Sequence, residues 1–163
     1  MPACHAGGRG FESLPDRHFE VMIADIALQI ILAAIVGGIW LTPLVVNPAA
    51  KASLDDEALK YFLKSFFFRF HLFIVSMLLG YLCVVYFFKL EEYDLLWSNS
   101  HNLVMLILFG TNILNLLLSL IINNTKIDTD SIFFKCMHGI SVAIFASTSL
   151  ISLYFLIEKF VEA

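Results

Sequence analysis

Two histidines, His71 and His138, sit near the ends of long apolar stretches, and each lies close to a cation, Arg69 or Lys135. Imidazoles on different helices can hold haem iron or copper, or pass a proton. The plainer account is that each ring hydrogen-bonds a neighbouring carbonyl or hydroxyl and takes no ligand. Ser141 stands one helical turn beyond His138 and is placed to fix its tautomer. Two nearby cations oppose binding of a bare metal ion and favour an anionic group, such as a haem propionate or an acidic solute. Their own ordinary role is snorkelling toward lipid headgroups.

A second polar group, Asp25, Gln29 and His101, gathers at the opposite ends of these stretches. Between the two groups, Asn112, Asn115 and Ser119 recur at three- and four-residue steps, one face of a helix. With Gly37, Gly38, Ser76 and Gly80, they are the residue types that bring membrane helices close and hydrogen-bond across them. Cys136, Met137 and His138 offer soft ligands, but consecutive helical residues diverge by about 100° and cannot converge on one ion. No metal set is assigned. No nucleophile–base pair, phosphate loop or HExxH pattern is present, so no catalytic residue is assigned either.

These residues must be positioned by something apolar. The chain of 163 residues is 60% hydrophobic and 15% charged, with a mean hydropathy of +0.84. A soluble domain is nearer half apolar and a quarter charged. Four stretches, about 23–46, 66–88, 103–122 and 132–157, each reach the roughly 20 residues that cross a bilayer as a helix. Lipid offers no partner to backbone groups, which leaves helix as their form, and no alternating barrel strands appear. The sequence therefore predicts an all-α integral membrane four-helix bundle, up-and-down because the connections are short. Its surroundings are the lipid bilayer, with a homo-oligomer or another membrane protein as a candidate partner. The net charge of −4 and the lack of a basic cluster exclude nucleic acid. Three cysteines, Cys4, Cys83 and Cys136, are too scattered for a disulfide framework.

The connections carry their own signals. Asn47 and Pro48 are expected to stop the first helix. Ser53 to Glu57 reads as a cap with an acidic first turn, and 57–65 as a helical lead-in to the second span. Glu91 to Asp94 with Trp97 to Ser100 form the second loop, and Asn123 to Ser131 the third. The first stretch is too long, and too polar at Asp25 and Gln29, for a signal peptide. Residues 1–21, rich in Gly, Arg, Pro and His, are unlike the rest. Gly10-Phe11-Glu12-Ser13 is what GGN-TTC-GAA-TCC encodes, close to the T-arm of a transfer-RNA gene. The reading is a translation start inside such a gene, with Met22 as the true start and 22–163 as the single domain. A disordered tail would share that composition.

Three short motifs stand out: Gly37-Gly38-Ile39-Trp40 leading to Pro43, the entry Phe66-Phe67-Phe68-Arg69-Phe70-His71, and Phe134-Lys135-Cys136-Met137-His138-Gly139-Ile140-Ser141. In this order they resemble the transmembrane protein 205-like family, also called domain of unknown function 4149. His138, Gly139 and Ser141 match the family's aromatic-x-x-His-Gly-x-Ser-like string, and Asn115 resembles a polar position on its third helix. The likeness runs from about Ile23 to the end and implies four helices without a settled activity. More distantly the layout resembles the copper-resistance protein D-like group, which includes a four-helix protoporphyrinogen oxidase. The first-span histidine important in that enzyme has no counterpart here. Three functions stand as expectations. The first is a non-enzymatic membrane protein handling a metal or small anionic solute. The second is a haem- or porphyrin-linked oxidoreductase using His71 and His138. The third is an assembly subunit of a membrane complex. Phe, Ile, Lys and Asn enrichment suggests an AT-rich bacterial genome and a cytoplasmic membrane.

Lys and Arg mark the cytoplasmic side of membrane proteins. Lys51, Lys60, Lys64, Arg69, Lys126 and Lys135 flank the first and third loops, while Lys89 and Lys159 flank the other side. Both termini are thus expected outside. Single cysteines at Ala52 and Thr125 should resist a membrane-impermeant thiol reagent in intact cells, whereas one at Ser98 should react. The reverse pattern would invert the orientation.

Overall fold

A computed structural model describes residues 15–89, 99–124 and 132–161. Residues 90–98 of the second loop, 125–131 of the third, Cys4 and the string at 10–13 lie outside the described residues. Five α-helices run in order: α1 Pro15–Leu41, α2 Asn47–Ser53, α3 Asp56–Phe88, α4 Ser100–Asn124 and α5 Ile132–Val161. A π-helical segment, Thr42–Val46, joins α1 to α2.

The first helix does not stop at Asn47 and Pro48, as the sequence had suggested. It runs through both prolines to Ser53, and its start at Pro15 carries it upstream of Met22. Pro43 has no N–H and its ring crowds the carbonyl one turn back, which breaks an α-helical ladder. The chain answers by widening the turn: the Asn47 N–H donates to Thr42 O, a five-residue step. The Thr42 hydroxyl donates to Gly38 O at 3.2 Å. Pro48 follows one residue into α2 and likewise donates nothing to the turn before it.

Asp55 caps α3, its side chain accepting from the Ala58 N–H at 2.8 Å, with Asp56 and Glu57 in the first turn. The lead-in and the second span are one helix of 33 residues, about 50 Å long at 1.5 Å per residue. That exceeds the ~30 Å of hydrocarbon, so its N-terminal turns extend beyond a bilayer. Four helices are long and apolar enough to cross a membrane, and they form an all-α bundle.

The spans form an up-and-down ring. α1 packs on α3 and α5, and α4 packs on α3 and α5, the α4–α5 pair least extensively. The core repeats at three- and four-residue steps: Leu28, Leu32 and Ile35 on α1, and Ile74, Leu78, Tyr81 and Val85 on α3. Met105 and Leu108 on α4 and Phe155 on α5 complete it. Outward-facing residues are equally apolar; Ile30, Phe87 and Leu150 are 63%, 71% and 61% exposed. Such an unbroken apolar exterior suits lipid and would aggregate in water.

The small residues divide. A Cβ on Gly38 would meet the Phe73 ring at 3.2 Å and the Phe70 ring at 3.6 Å. Gly37 faces open space, and a Cβ on Gly80 would make only an ordinary 3.9 Å contact with Ile31. Ser76, Cys83 and Cys136 point outward, so Ser76 does not serve the interior packing expected of it. Gly38→Val should therefore lower thermal stability in detergent by about 1–3 kcal/mol, as overpacking does. Gly37→Val and Gly80→Ala should leave it nearly unchanged. Equal melting of all three variants would remove the α1–α3 contact at Gly38 as a packing constraint.

Candidate functional site: a buried polar file

α1 and α3 line their side of the bundle with Leu and Ile. α4 and α5 do not. Their inward positions hold Asn112, Asn115, Thr148, Ser149 and Ser152, each no more than 2% exposed. The 3.6-residue period that would bury leucines here buries amides and hydroxyls instead. The Asn112 amide donates to Leu108 O at 2.9 Å and to the Thr148 hydroxyl at 2.8 Å, tying α4 to α5. Thr148 donates in turn to Ile144 O at 2.8 Å. Among the described residues, five buried polar atoms have no partner: Asn112 Oδ1, both amide atoms of Asn115, and the hydroxyls of Ser149 and Ser152.

His71 stands at one end of this file, 5% exposed. Its Nδ1 lies 2.5 Å from Phe67 O one turn back on α3, and a carbonyl only accepts, so Nδ1 carries the proton. In the neutral ring, Nε2 then accepts from the Ser141 hydroxyl of α5 at 3.4 Å. The Phe145 ring packs on the imidazole with centroids 4.7 Å apart, and the Asn115 amide lies against it without a well-formed hydrogen bond. Ser141 thus serves His71 on another helix, where the sequence had placed it beside His138. Arg69, Lys135 and His138 are exposed, and Ser119 is half-buried.

This arrangement suits a hydrogen-bonding site better than a metal site. Only Nε2 of His71 could reach a metal, and it already faces Ser141. Among the described residues, no group of three or more His, Cys, Asp or Glu side chains converges for an ion. Haem or copper ligation by His71 with His138 would require a buried and an exposed ring to meet.

The second polar group, around Asp25, Gln29 and His101, is richer than expected. Lys89, at the end of α3, pairs with Asp25 of α1. His101 Nε2 lies 3.7 Å from Glu158 Oε2 on α5, and its ring packs on Phe155 at 4.9 Å. Asn99 positions His101 in the first turn of α4, its side-chain oxygen accepting from the His101 N–H at 2.8 Å. Tyr154 donates to Glu158 at 3.4 Å, and buried Tyr81 feels both Asp25 and Glu158. Gln29 is half-buried one turn inward of Asp25. Glu158, Tyr81 and Ser149 were not among the residues expected from the sequence. Thr148 and Ser152 are legible there, spaced seven and eleven from Ser141 on one α5 face, and both are buried.

No family model, curated protein or solved structure matches the chain. The resemblance drawn from the sequence thus rests on its short motifs alone.

The two histidines are not equivalent. His71→Ala should cost about 3 kcal/mol of detergent-micelle stability, as truncating a large core ring does. His138→Ala, at an exposed position, should stay within about 1 kcal/mol. Unfolding by sodium dodecyl sulfate titration distinguishes them, and equal losses would show that both rings share one site.

Proposed function

We propose that this chain is a multi-pass membrane protein that handles a small hydrogen-bonding solute, uncharged or anionic, within its helical bundle. The observation that carries this reading is the set of unpartnered amide and hydroxyl atoms buried between α4 and α5. Polar groups at membrane depth are costly and mark ligand or ion pathways by default. Natural proteins leave few buried polar atoms unpaired, and five within one file call for a partner from outside the chain. Their chemistry is that of neutral donors and acceptors. No carboxylate or thiol stands among them, which favours a solute over a metal ion. Exposed Arg69 and Lys135 near the inner end would draw an anion toward it.

The excess of Lys and Arg around the first and third loops supports a cytoplasmic membrane with those loops inside and both termini outside. The likeness to the transmembrane protein 205-like family fits a non-enzymatic role.

Stopped-flow light scattering on proteoliposomes tests the reading. Under an inward gradient of urea or sodium formate, vesicles holding the protein should recover volume severalfold faster than protein-free vesicles. Asn115→Leu should return the rate toward that baseline. Recovery no faster than baseline for both solutes overturns the proposal.

A further inference from the structure

At the outer end of the bundle, all four membrane-spanning helices contribute titratable side chains to one place. α1 supplies Asp25, α3 supplies Tyr81 and Lys89, α4 supplies His101, and α5 supplies Tyr154 and Glu158. These are the titratable groups facing one another there among the described residues. Their charges do not balance. Lys89 is matched by Asp25, while Glu158 faces an imidazole that compensates it only when protonated. The cluster carries one negative charge with His101 neutral and becomes neutral on taking up one proton.

Its geometry is graded from outside to inside. The His101 side chain is 47% exposed and that of Glu158 22%. Tyr81 is buried, and both carboxylates act on it. Beyond it lies the file already described: Ser152, Ser149, Thr148 with Asn112, Asn115, and finally His71 with Ser141. An imidazole thus stands beyond each end of the buried hydroxyls and amides, with the core residues Met105, Leu108 and Phe155 packed between His101 and the first of them.

We propose that the outer cluster is a proton-loading site, with His101 and Glu158 sharing one exchangeable proton and delivering it to the buried file. His101 accepts a proton from outside water at Nδ1 and releases the one on Nε2 to Glu158, so the ring ends neutral. The carboxyl of Glu158 then passes its proton inward, past Tyr81, and the hydroxyls of Ser152 and Ser149 each take a proton as they hand their own onward, toward Nε2 of His71. Water can bridge positions whose side chains do not touch. Hydroxyls and imidazoles both give and take protons, whereas an apolar seam could carry none. The ligand is the proton, and this inference rests on the polar file rather than on solute passage through it.

Proteoliposomes loaded with the pH dye pyranine, with a potassium gradient and valinomycin setting the potential, read the flux directly. Wild-type vesicles should acidify faster than protein-free ones. Glu158→Gln should slow the protein-dependent rate by at least about tenfold, modest beside the ~100-fold a positioned proton-transfer group supplies. Glu158→Asp, which keeps a carboxylate, should restore part of it. If Glu158→Gln cannot be recovered from membranes, wild-type protein treated with an apolar carbodiimide decides the matter. Modification of Glu158, located by peptide mass, should abolish the flux in step with labelling. Wild-type flux at the protein-free level, or full flux in Glu158→Gln or in the labelled protein, overturns the inference. Rapid urea or formate recovery alongside absent proton flux would sink this inference alone and leave the solute reading standing.

Discussion

Inside hydrocarbon, a polar group finds no water, and every feature of this bundle depends on where its polar atoms can go. Backbone amides are satisfied within each helix, so the spans are helical whatever their side chains. Side-chain polarity cannot be satisfied that way and is driven to the bundle interior, the reverse of a soluble protein. The outward faces become mostly Leu, Ile, Val and aromatic residues, and the inward faces carry the discrimination. The widened turn at Thr42–Val46 keeps to the same rule: between two prolines that remove donors, the Asn47 N–H still reaches Thr42 O and the Thr42 hydroxyl reaches Gly38 O.

The interior is two-sided. Along α1 and α3 it is a tight apolar seam, with Gly38 letting the Phe70 and Phe73 rings close against the first helix. Along α4 and α5 it is amide and hydroxyl, joined by the Asn112–Thr148 bond and loosely packed elsewhere. Interhelical hydrogen bonds of this kind contribute only about 0.6 kcal/mol on average in membranes. Five unpaired atoms beside one such bond are therefore not an efficient way to hold two helices together. Stability alone does not account for the residue types chosen there.

The four helices were legible because lipid imposes one length and one secondary structure, and composition alone reveals both. Asn112 and Asn115 stood out for a similar reason, being costly residues at helical spacing inside an apolar run. The end of the first helix was misread because a proline's local preference was weighed without the option of a widened turn. His71 and His138 looked alike in sequence, each an imidazole near a cation at the same expected depth. Rotation about the helix axis separates them, and a single apolar run carries too little periodicity to fix that rotation. Glu158 escaped notice because a carboxylate close to a chain terminus looks solvated until a neighbouring helix brings His101 against it.

The widened turn also sets the phase of the residues beyond it. One additional residue in a helical turn rotates all later positions by about 100° relative to an uninterrupted helix. Upstream, Leu28, Leu32 and Ile35 keep strict step with the core, and downstream only Ala50 is buried in α2. The segment Thr42–Val46 therefore decouples two registers, leaving the short helix on the loop side free to gain or lose a residue without disturbing the aliphatic ladder within the bilayer. Length variation among descendants of such a chain would accumulate at that joint. The stretch between Asp25 and Gly38, where one deletion would turn leucines outward and expose polar groups to lipid, would keep its length.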